Sequence, residues 1–187
     1  MTAARRRTLI QVFLAATLVV ALGVLAEIAR KRVALGPTDG AGWRPIEWPF
    51  PRDGWPPGRA WRNRDGIDVY VRPKLGFCGN CDTGVVTDEE VDRVTDIDLL
   101  DERFVPVREG SRIRITDLAG RARLYKLKTR LGAEDVAEGI AVAYKCDLIV
   151  AIVAGDEVAD ESVRKRAHRF LESNTVQVWV NKELEAH

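Results

Sequence analysis

Leu148-Ile149-Val150-Ala151-Ile152-Val153 is an unbroken apolar run, the pattern of a strand covered on both faces by other layers. Its neighbours set the fold class. Upstream, Val136, Ile140, Ala143 and Tyr144 fall on one helical face, which predicts a helix leading into the strand. Downstream, Asp160 is placed to cap a helix whose Val163, Ala167, Phe170 and Leu171 recur at i, i+4, i+7 and i+8. Val176, Val178 and Val180 then alternate with Gln177 and Trp179 as in a strand. Strand, helix and strand in that order predict a right-handed parallel crossover.

Further upstream, Ile67 to Arg72 (IDVYVR) puts Ile67, Val69 and Val71 on one face of a short strand ended by Pro73. The Gly-rich loop KLGFCGNCDTG follows. Thr87-Asp-Glu-Glu90 is a capping box, in which hydroxyl and carboxylate satisfy orphan backbone donors, and Val91, Val94 and Ile97 continue at helical spacing. Arg112 to Thr116, the turn Asp117-Leu-Ala-Gly120, and Arg121 to Leu127 make a β-hairpin. The expectation is an α/β (or α+β) domain over residues 65–187, a small mixed sheet of approximate order βαββαβαβ ending in a parallel βαβ unit. No repeat occurs at solenoid periods.

Ahead of this domain the chain changes character twice. Residues 1–7 are a short basic tail with Arg5, Arg6 and Arg7, and residues 8–28 are almost wholly apolar, Gln11 being the only strongly polar side chain before Glu27. About 20 apolar residues cross a hydrocarbon core of about 30 Å, so this run predicts a single-pass transmembrane anchor that contacts membrane lipid. A cleavable signal peptide is the rival, with Val24-Leu25-Ala26 near a cleavage point. The run exceeds the usual apolar core of such a peptide, and Arg30-Lys31-Arg32 follows at once. Basic clusters on both sides leave the positive-inside count nearly tied. The very short N-terminal tail favours a cytoplasmic (inner) membrane location with the C-terminal domain periplasmic or external.

Residues 29–64 read as a linker. Six of the eight Pro and four of the five Trp (Trp43, Trp48, Trp55, Trp61) lie in it. Proline fixes φ and removes donors, which predicts an extended run over a surface. Four Trp need an apolar setting. Their own domain, the lipid headgroup layer and a protein partner compete for them, and the four are candidate partner-binding residues.

Cys78-Gly-Asn-Cys81 is the sharpest chemical motif. Two thiols at this spacing can close a structural disulfide, exchange disulfides, or fill two corners of a metal tetrahedron. A redox-active pair is expected to open a helix; here Asp82-Thr83-Gly84 intervenes before the box at Thr87. A zinc site would have to draw on Cys146 and His168, of which the first reads as a buried apolar side chain and the second as a surface residue. A structural disulfide between Cys78 and Cys81 is therefore the leading reading, with no metal and no cofactor expected.

The acidic run Asp88, Glu89, Glu90, Asp92, Asp96, Asp98, Asp101 and Glu102 reads as a solvated helix face. With 29 basic and 28 acidic residues the net charge is +1, which gives no field to attract nucleic acid. Phosphate-loop, dinucleotide, nucleophile-elbow and zinc-protease motifs are absent from the sequence. The reading is of an accessory subunit or assembly factor docking on a larger membrane or periplasmic complex, more a binding protein than an enzyme. The alternative is a membrane-tethered thiol-disulfide oxidoreductase or metal carrier. The sequence names no small-molecule substrate.

Overall fold

The computed structural model describes residues 16–23, 36–51, 53–76, 86–128 and 134–186. The chain divides into two compact units, Met1–Pro37 and Thr38–His187. In the first, residues 16–23 are helical, with Leu18, Val19, Val20 and Leu22 exposed. Residues 8–15 and 24–28 of the expected anchor lie outside the described residues. Among the described residues no helix is long and apolar enough to cross a membrane.

The second unit is built on an antiparallel sheet. Its strands are β1 (Arg44–Ile46), β2 (Arg59–Arg62), β3 (Asp68–Lys74), β4 (Val105–Pro106), β5 (Ser111–Ile115), β6 (Leu118–Lys128), β7 (Glu134–Tyr144) and β8 (Asp147–Ala154). Its helices are α1 (Asp88–Val94), α2 (Ile97–Leu100), α3 (Glu161–Leu171) and α4 (Asn174–Glu185). The strand order is β1-β2-β3-β8-β7-β6-β4, with β5 sharing the outer side of β6. β5 pairs with β6 from Ser111↔Ala122 to Ile115↔Leu118, and β4 pairs with it at Tyr125 and Lys126.

The run at 148–153 lies between β3 and β7, as its unbroken apolarity requires. Ile149, Ala151 and Val153 point to a core shared with Val163, Ala167, Phe170 and Leu171 of α3 and Val176, Trp179, Val180 and Leu184 of α4. Leu148, Val150 and Ile152 point the other way, onto Val91 and Val94 of α1, Ile97 of α2, and Phe50. Helices therefore cover both faces of an antiparallel sheet.

Three expected local elements form as read. Glu90 N donates to Thr87 Oγ1 at 3.3 Å and Thr87 N donates to Glu90 Oε2 at 3.1 Å, completing the capping box of α1. Ser162 N donates to Asp160 Oδ1 at 2.7 Å and caps α3. β5 and β6 form the hairpin, closed more tightly than expected at Thr116-Asp117, where Thr116 takes a φ of 53°.

Others differ, and the parallel crossover is overturned with them. Residues 136–144 are not a helix but lie within β7, where Val136, Ile140, Val142 and Tyr144 face α3 and α4. The opposite side carries Ala137, Gly139, Ala141 and Ala143, small enough to let the second helical layer approach. A Cβ at Gly139 would stand 2.9 Å from Thr95 Oγ1 and 3.0 Å from Tyr125 Cε2. Residues 176–180 are not a strand but part of α4. Val176, Trp179, Val180 and Leu184 make its buried stripe, and Val178 is 68% exposed. With a helix in place of the last strand, the mixed sheet with a parallel βαβ unit becomes an antiparallel one, every strand pair among the described residues running antiparallel. β3 also continues through Pro73, since β2 stops at Arg59 opposite Val71 and leaves that edge needing no donor.

Candidate functional site

The stretch read as a linker is largely folded into the second unit. It supplies β1 and β2, and between them residues 47–51 and 53–58 cross the sheet face opposite α3 and α4 as a proline-bracketed strap. The four Trp divide into two pairs. Trp43 stacks on Phe170 with ring centroids 4.2 Å apart, and Trp61 meets Phe170 at 5.5 Å and Trp179 at 5.8 Å. Both are buried in the core, so their own domain takes their apolar surface. Trp48 and Trp55 sit on the strap and are half-buried.

Beneath the strap lies a charge cluster. β3 turns Arg72 and Lys74 toward it, and their side chains are 2% and 6% exposed. Burying two cations requires partners for each. Arg72 clamps Asp53 through both terminal nitrogens, Nη1 donating to Oδ2 at 2.8 Å and Nη2 to Oδ1, while its Nε donates to the Pro56 carbonyl at 3.0 Å. Arg72 Nη1 also reaches Asp96 Oδ2 at 3.2 Å, and Lys74 Nζ donates to Asp96 Oδ1 at 2.5 Å.

Asp96 stands before α2 in the left-handed region, φ 58° and ψ 25°, and makes no side-chain cap, its carboxylate serving the two cations instead. The run expected to be a solvated face thus turns several members inward: besides Asp96, Glu90 is buried, Asp88 accepts from Arg121 and from Gly110 N, and Asp92 accepts from Arg123 and Tyr125. The Trp48 ring centroid lies 5.6 Å from Arg72 Cζ, and that of Trp55 lies 5.6 Å from Lys74 Nζ. Burial pulls the Asp53 carboxyl upward. Its bonds to Arg72 and the Trp55 backbone, with the Arg72 and Lys74 charges, outweigh that and hold it below the ordinary carboxylate range.

The strap's path is fixed at its far end by Gly58, where a Cβ would run into the Trp48 ring and come 2.6 Å from the Val71 carbonyl. Phe50 fills the space between Trp48 and Tyr70, 4.9 and 5.2 Å from them. The result is an aromatic surface with Pro49, Pro51 and Pro57 exposed and a paired set of cations below. No protein-family model matches the chain, and no curated protein does. The site is therefore read from its own chemistry. That chemistry is a half-exposed aromatic and proline surface backed by paired, buried charge.

Cys78 and Cys81 lie outside the described residues. Cys146 is exposed in the turn between β7 and β8, not buried at the head of a strand. Gly76 N donates to Asp147 Oδ1 at 2.7 Å, which ties the point where the chain leaves β3 to that same turn. His168, read as a surface residue, reaches inward to Glu138. Among the described residues no group of three or more His, Cys, Asp or Glu could hold a metal ion. Sequence reasoning missed Arg72, Lys74, Asp53 and Asp96. The available signal was a strand with cations on one face and a Trp/Pro-rich segment that needed something to cover.

Proposed function

We propose that this protein is a membrane-anchored accessory subunit or assembly factor whose folded domain docks on a larger membrane or periplasmic complex through the strap at 47–58. The observation that carries the reading is the half-buried pair Trp48 and Trp55 held over Arg72 and Lys74. Large aromatic surface on a pre-ordered segment loses little conformational entropy on binding. The apolar run at 8–28, with basic residues on both sides, supports a bilayer location. The second unit starts at Thr38 and takes in most of the stretch read as a linker.

Extraction of the tagged full-length chain in mild detergent is expected to recover a stoichiometric protein partner. Trp55→Ala should abolish that capture while leaving the unfolding midpoint of the domain nearly unchanged. Equal capture by the variant, or a clean monomer under the same conditions, would reject the strap as the docking element. Alkaline phosphatase fused to the C-terminus should be active, and an inactive fusion would refute the external location.

A second reading, thiol-disulfide exchange or metal carriage at Cys78 and Cys81, is favoured by the bond from Gly76 to Asp147. That bond brings the end of β3, which precedes the motif in sequence, beside the turn that carries Cys146. Alkylation mass spectrometry across a glutathione titration is expected to show the Cys78–Cys81 pair switching within the redox range of its compartment. A bond that resists reduction throughout would mark the pair as structural.

A further inference from the structure

The strap leaves the strand ladder at Ile46↔Ala60, and Pro49, Pro51, Pro56 and Pro57 have no backbone donor with which to rejoin it. What holds it changes along its length. Near its start, Phe50 is buried between Trp48 and Tyr70, and the Trp48 ring is seated against Gly58. This part is held by apolar packing. Residues 53–57 are of another kind: Asp53, Gly54 and Pro57 are exposed, and Trp55 and Pro56 are half-buried. They meet the sheet through the three bonds that Arg72 donates to Asp53 and the Pro56 carbonyl, and through the Trp55 ring over Lys74. Charge, more than packing, keeps them in place.

Asp53 serves both ends of this arrangement. Besides clamping Arg72, its Oδ1 accepts from Trp55 N at 3.2 Å, so the same carboxylate shapes the tip of the strap and ties it down. Gly54 between them takes a φ of 86°, which a residue without a Cβ adopts freely. The cations do not depend on the tip alone. Arg72 Nη1 also reaches Asp96 and Lys74 Nζ donates to Asp96, so both keep a carboxylate when residues 53–57 move away. Exposed segments with few buried apolar contacts open at free energies below that of global unfolding.

We propose that residues 53–57 are a flap that opens and closes over Lys74 while the sheet and its helices stay folded, with the Asp53–Arg72 clamp as the latch. Closed, the flap holds Trp55 in the pre-ordered form offered for docking; open, it withdraws that surface. The latch thereby sets how much of the protein is competent to dock, a consequence that rests on the docking reading, whereas the flap itself rests on the contacts of Asp53, Trp55 and Pro56.

Acetylation of the full-length chain in detergent by sulfosuccinimidyl acetate, resolved by site with mass spectrometry, is the test. Lys74, with a side chain 6% exposed, reports opening, and Lys165 on α3, at 65%, is the reference. In the wild type the Lys74 rate is expected to stay flat in urea up to the unfolding transition, because a five-residue opening exposes little surface. Asp53→Ala should raise the Lys74 rate by about tenfold or more, the equivalent of a lost charged hydrogen bond, and leave Lys165 unchanged. Circular dichroism in urea checks that the variant is folded. A wild-type Lys74 rate that climbs with urea well below the transition, in step with global unfolding, would overturn the flap. So would an unchanged Lys74 rate in folded Asp53→Ala. No partner enters this measurement, so failure of the flap and failure of partner capture are separate results.

Discussion

Replacing Arg72 with Met is expected to lower the unfolding free energy of the domain by about 3–5 kcal/mol, the usual loss when one partner of a buried ion pair is removed. The volume is nearly kept, so the loss comes from the charges left behind. Asp96, whose side chain is 12% exposed, keeps Lys74, but Asp53 loses the guanidinium that clamps it, and the Pro56 carbonyl loses its donor. Two further variants separate this account from simple loss of packing. Asp53→Asn should cost less, because Asn keeps one acceptor oxygen and Arg72 retains Asp96 and the Pro56 carbonyl. Arg72→Met combined with Asp53→Asn should recover part of the Arg72→Met loss, since the stranded carboxylate is then gone while Asp96 still serves Lys74. Urea unfolding of the full-length chain in detergent, followed by circular dichroism, measures all three. A loss below about 1 kcal/mol for Arg72→Met would place the cluster among ordinary surface pairs.

Trp61→Ala should be comparably severe, at about 3–5 kcal/mol, the range for truncating a large buried aromatic. The ring is 4% exposed and contacts Phe170 and Trp179, which come from the two different helices of its layer. Its removal opens a cavity that three elements line, and none can relax into it without moving the others. Edge-to-face aromatic contacts add about 0.5–1.5 kcal/mol beyond burial. Trp55→Ala on the strap should change stability by no more than about 1 kcal/mol. This contrast tests the division of the four Trp into core and surface pairs. Equal effects from the two variants would mean that the strap is as integral as β2.

Much of the fold was legible wherever one local rule acted without competition. The box at Thr87, the cap at Asp160, the helix stripe from Val163 to Leu171 and the buried strand at 148–153 each have a single consistent period. The failures fell where two periods fitted the same residues. In Glu134–Tyr144, Ala at 137, 141 and 143 with Gly139 fills one strand face with small residues, and the larger side chains left over also mark a helical stripe. What decides is the approach of Thr95 and Tyr125, a tertiary contact that local spacing does not encode. In α4, Val176, Val178 and Val180 favoured a strand through β-branching, whereas burial of Trp179 beside Val180 requires a helical turn. The charge cluster was illegible for a related reason. Asp53 and Asp96 are 43 residues apart and 19 and 24 residues from Arg72 respectively, so only the closed fold brings them together.

The two sides of the sheet limit how it can meet another molecule. One ends in β1, three residues long with Pro45 at its centre; the other is divided between β4, two residues with Pro106, and the five residues of β5. Short, proline-bearing rims offer an incoming chain almost no continuous row of backbone donors and acceptors. Growth by strand addition is thereby discouraged, whether by a second copy or by an extended peptide. A molecule that docks on this domain would then meet side chains on its faces. Crowding of copies would not by itself drive the domain into filaments.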